Sequence, residues 1–152
     1  MANQLSNLLK QVVSVLESMP LVNTIVFKDN NVVDVEKENV YPLVSIVILP
    51  SPPSETNLRE YKLGFEVYNQ RDDRKVPTPS KLMLDTNFID NIGICDSIAN
   101  NFVLDFFKTH NDYDIGISDD SVSEFEIIKK DERNGLDGVK FEATFYIHQN
   151  NI

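Results

Sequence analysis

The stretch from Val40 to Pro50, VYPLVSIVILP, constrains the fold more than any other part of the chain. Its apolar and β-branched side chains run almost without a break, with Pro42 near the start and Pro50 at the end. A nearly continuous apolar run of this length is the pattern of a strand covered on both faces. Pro42 has no amide hydrogen to donate, so it belongs at the strand's first residues or where no partner is required. The strand must stop at Pro50-Ser51-Pro52-Pro53-Ser54-Glu55-Thr56-Asn57, a composition that supports neither helix nor sheet and reads as an exposed loop.

The flanking segments supply what such a strand needs around it. Leu5, Leu8, Leu9, Val12, Leu16 and Met19 recur at spacings of three and four, which predicts a helix from about Asn3 to Ser18, capped by Asn3 or Ser6 and ended by Pro20. Thr24-Ile25-Val26-Phe27 reads as a strand, and Asp29-Asn30-Asn31 as a turn into a short partner at Val32-Val33-Asp34. From Tyr61 the chain alternates, with Tyr61, Leu63, Phe65 and Val67 on one side and Lys62, Gly64, Glu66 and Tyr68 on the other, the signature of a half-exposed antiparallel strand. Phe88, Ile92, Cys95, Ala99, Phe102 and Phe106 keep helical register from about Thr86 to Lys108, and three phenylalanines in that stretch imply packing on a sheet. Val122, Phe125 and Ile127 begin a further strand. Asn134-Gly135 turns it into the alternating run Val139, Phe141, Ala143, Phe145, Ile147. The expected class is α+β: a mostly antiparallel or mixed sheet with two helices packed on one face, in a single domain over residues 1–152.

Composition narrows the function. The chain of 152 residues is the size of one ordinary domain, and 41% hydrophobic with 25% charged residues is normal for a globular protein. No apolar run approaches the roughly 20 residues of a membrane-spanning helix, and the N-terminal segment lacks a signal-peptide layout, so a protein that is cytosolic when made is expected. The single cysteine, Cys95, fits a reducing compartment and, on the apolar stripe of a helix, reads as a core residue. Net charge is −10, unevenly spread: nine bases face ten acids in residues 1–82, and five face fourteen in residues 83–152. Such acidity repels phosphate backbones and argues against ordinary nucleic-acid binding.

Reactive constellations are hard to find. The five glycines form neither a phosphate loop nor a dinucleotide fingerprint. Asp112-Tyr113-Asp114-Ile115-Gly116 begins like a calcium loop, but Ile117 stands where glycine is required and Ser123 where a bidentate glutamate is required. Asp119-Asp120 and Asp72-Asp73 read as solvated turn residues, because adjacent side chains on extended backbone point to opposite faces. His110 follows the last turn of the long helix, where a cation suits the helix dipole. His148 falls among the outward positions of the last strand. No catalytic, cofactor or metal site is expected, and hence no enzyme. The mixed-charge run Arg71, Asp72, Asp73, Arg74, Lys75 reads as a hairpin tip or as a subunit-contact arm able to pair with the acidic half of a neighbouring copy.

Taken in order, an N-terminal helix, NTIVFKDNNVVDVEKENVYPLVSIVILP, YKLGFEVYNQRDD, DTNFIDNIGICDSIANNFVLDFF and a closing hairpin resemble the tail terminator and neck (head-tail connector) ring proteins of tailed phages. They are similar in particular to those of Bacteroidetes hosts, including the crAss-like group. The resemblance runs from about Leu5 to His148 and has no counterpart for the Pro50–Asn57 loop. It implies a structural virion protein that forms a ring of six or twelve copies at the head-tail junction, assembled in the host cytoplasm. Its partners would be copies of itself and portal, connector or tail-tube proteins, with no membrane. Phage DNA would pass through the lumen without specific binding, which an acidic or neutral lining permits. Two other readings compete: a small acidic module that binds a basic host protein, and a metal-dependent hydrolase built on Asp112, Asp114, Asp119 and Asp120.

Overall fold

The computed structural model describes residues 4–27, 40–53, 58–70, 86–110, 115–116, 121–130 and 136–148. Two helices and six strands occur in the order α1 (Gln4–Glu17), β1 (Thr24–Phe27), β2 (Leu43–Leu49), β3 (Leu58–Gln70), α2 (Thr86–His110), β4 (Ile115–Gly116), β5 (Glu126–Lys130) and β6 (Leu136–His148). The strands form one mixed sheet in the order β1-β2-β3-β6-β4, and β5 lies beside β4 on the outer edge of β6. Only β1 and β2 run parallel among these pairs; β2–β3, β3–β6, β6–β4 and β6–β5 are antiparallel.

The backbone of the sheet is the β3–β6 ladder, in which all thirteen residues of one strand pair with all thirteen of the other, from Leu58 opposite His148 to Gln70 opposite Leu136. This ladder aligns the two alternating patterns of the sequence. Leu63, Phe65 and Val67 face the same side as Ala143, Phe141 and Val139, and Val44 and Ile46 of β2 join them. Both helices cover that side. Leu8, Val12, Val15 and Leu16 of α1 and Cys95, Ile98, Ala99, Phe102 and Phe106 of α2 share a single core cluster with those strand residues. The α+β sheet with two helices on one face is therefore the observed architecture.

Six phenylalanines form the centre of this core. Phe65 stacks on Phe141 at 5.0 Å and packs tilted against Phe102 at the same separation. Phe106 meets Phe145 edge-on at 5.1 Å, and Phe125 reaches Phe141 at 4.9 Å. These centroid distances lie in the favourable range for aromatic pairs, each contributing about 1 kcal/mol beyond the area it buries. Phe65 and Phe102 place the middle of α2 over β3.

The structure corrects several expectations. The β2 run is buried on both sides only from Leu43 to Ile46, while Ile48 is half exposed. The strand begins just after Pro42, whose carbonyl accepts hydrogen bonds from the amides of Asn23 and Thr24 and so ties β1 to the start of β2. The outward side of β3 is not solvated throughout: Glu66 and Tyr68 are buried. The cause is a second apolar cluster on the helix-free face, where Leu43, Tyr68 and Leu136 are buried with Val26, Tyr41 and Ile128 packed around them. On α2, Phe88 and Ile92 are only half buried, whereas Asn91 and Ile98 are buried.

The strand expected at Val122 begins at Glu126 instead. Val122 bridges Ala143, the Ser123 amide donates to the Glu142 carbonyl while the Glu142 amide donates to Ser123 Oγ, and Glu126 pairs with Lys140. Three steps along one strand thus oppose two along the other, a bulge of one residue. It allows Val122 and Phe125, three positions apart, both to face the core. The two-residue strand β4 was not foreseen, and the turns at Asp29–Asn31 and Asn134–Gly135, with the strand at Val32–Asp34, lie outside the described residues.

Candidate interaction surface

The sequence marked acids, histidines and a charged arm as places for chemistry or contact. Arg71, Asp72, Asp73, Arg74 and Lys75 lie outside the described residues, as do Asp112, Asp114, Asp119 and Asp120. His110 and His148 occupy the last positions of α2 and β6. Among the described residues no group of three His, Cys, Asp or Glu side chains comes together as a metal site would require. Nor is any helix among them long and apolar enough to cross a membrane.

Cys95 is fully buried, as its place on the helical stripe predicts. Its thiol donates to the backbone oxygen of Asp137 at 3.6 Å. Burial, and secondarily the carboxylate of Asp137, push the thiol up to about 12, against a partial lowering by a backbone hydrogen bond from Asn69. A thiol so placed is neutral at physiological pH and a poor nucleophile. Around it sits a polar cluster that sequence reasoning missed. Asn69 Nδ2 donates to Asn91 Oδ1 at 2.9 Å, and Asn91 Nδ2 donates to Asp137 Oδ2 at 3.2 Å. Asn69 and Asp137 are direct cross-strand partners on β3 and β6, so Asn91 fastens α2 to both strands at once.

The helix-free face grades from apolar to charged along the strands. At the end where β2 and β6 begin, the Tyr68 ring lies against Gly138, and burial with the charge of Glu66 raises the Tyr68 phenol far above its ordinary value. One row further, Ser45, Glu66, Lys140 and Glu126 stand side by side across four strands, with Lys140 and Glu126 3.6 Å apart. Beyond them Lys62 and Glu142 pair at 3.9 Å, both about half exposed. Exposed pairs of this kind contribute little to stability and leave a hydrated, mixed-charge surface.

The feature with the form of a binding surface is on the other side, beside α1. Leu5, Leu9 and Val13 of the helix, with Phe27 of β1 and Ile48 of β2, line an open apolar groove of about 640 Å³. Phe27 and Ile48 are 49% and 50% exposed, so this apolar area stays in water in the single chain. Lys10 and Glu17 also border the groove. Its sequence signal was present in the breadth of the α1 pattern. The apolar positions from Leu5 to Met19, Val13 and Val15 included, spread over an arc of roughly 160° at 100° per residue, wider than a stripe that only meets one sheet. Leu8, Val12, Val15, Leu16 and Met19 fill the core, and the rest form the wall of the groove.

Compared with known proteins, the chain matches no family model and no curated sequence.

Proposed function

We propose that this protein is a structural, ring-forming subunit of the head-tail junction of a tailed phage, a tail terminator or neck ring. The observation that carries the reading is the apolar groove at the β1 side of the sheet, bordered by Leu9, Val13, Phe27 and Ile48 and open in the single chain. An apolar area of this kind, rimmed by polar residues, is the mark of a protein contact. Its place at one lateral edge of the sheet suits head-to-tail assembly, in which one patch meets a different patch on the next copy. The resemblance in element order and the α+β sheet with both helices on one face support the same reading. The excess of acid in residues 83–152 suits a lumen that lets DNA slide, because a basic lining would hold phosphates by counterion release.

Light scattering behind a sizing column, run over a range of concentrations, tests the proposal. Species of six or twelve copies, seen as closed rings by electron microscopy, are the expected result. A chain that stays at one or two copies at every concentration overturns it.

A further inference from the structure

We draw no further inference here: the strongest candidate, the open apolar groove beside α1 lined by Leu5, Leu9, Val13, Phe27 and Ile48, belongs to the surface already described, and nothing in the structure shows what covers it.

Discussion

A methyl group added at Gly138 would collide with the carbonyl oxygen of Val67 and stand 2.8 Å from Cδ1 of Tyr68. The backbone is part of that contact, so the strands themselves would have to part. Gly138→Ala is expected to cost about 3 kcal/mol, the scale of overpacking in a filled site. Gly64 is the control. A methyl there meets Leu49 Cδ1 at 3.5 Å, ordinary contact with a flexible side chain, and Gly64→Ala should shift stability by less than about 1 kcal/mol. Urea denaturation of the two variants measures the difference. Cys95 gives a second residue-level expectation. The folded thiol holds its proton more tightly than the unfolded one, so its contribution to stability is present in full below the ordinary value of 9.0 and is lost as pH rises through about 12. Tyr68 acts in the same sense above its ordinary 10.0. Melting temperature should therefore fall in alkali, and fall less steeply in Cys95→Ala. At pH 8 the native thiol should resist a thiol reagent that modifies it fully in urea.

At the scale of elements, what matters is how α2 is fastened to the sheet. Two kinds of contact do this: the phenylalanine cluster along its middle and the Asn69–Asn91–Asp137 chain of hydrogen bonds nearer its start. Phe65 touches Phe102, Phe141 and Phe145, and Phe65→Ala should cost about 4 kcal/mol through lost transfer energy and the cavity left behind. Asn91 is 3% exposed, and Asn91→Ala takes one donor from Asp137 and one acceptor from Asn69, at a cost of about 2 kcal/mol. Denaturant melts of both variants check the order of the two effects. The helical stripe of α2 was legible because apolar spacing reports one face. Asn91 was not, since a polar residue beside that stripe reads as solvent-facing until Asn69 and Asp137 are seen across from it. The bulge before β5 was hidden for a related reason: an extra residue breaks the period of two that identifies a strand.

For the whole molecule, the distribution of charge and of exposed apolar area decides what it can meet. With fourteen acids against five bases in residues 83–152, the chain has little to offer a phosphate backbone. It should not retain duplex DNA on a sizing column at about 0.15 M ionic strength. Retention that weakens steeply with salt would count against the proposed ring, whose lining must let DNA slide. Phe27, Ile48 and Ile127 leave apolar area exposed, and the solution mass asks whether other copies of the chain cover it, as the proposed ring requires.

Periodicity alone determined both helices, the main strands and the side of each that turns inward, because those follow from local spacing and burial. It also placed Cys95 in the core. Only the tertiary structure decided that β3 and β6 pair over their full length, that β1 runs parallel to β2, and that Tyr68 and Glu66 are buried on a face that alternation assigned to water. The same holds for the α1 groove. The breadth of the apolar arc on α1 signals surplus apolar surface, but no single side chain carries a mark of whether its own fold has atoms left to cover it. That depends on where β1 ends and how far α2 reaches, and these are set by pairings between segments distant along the chain.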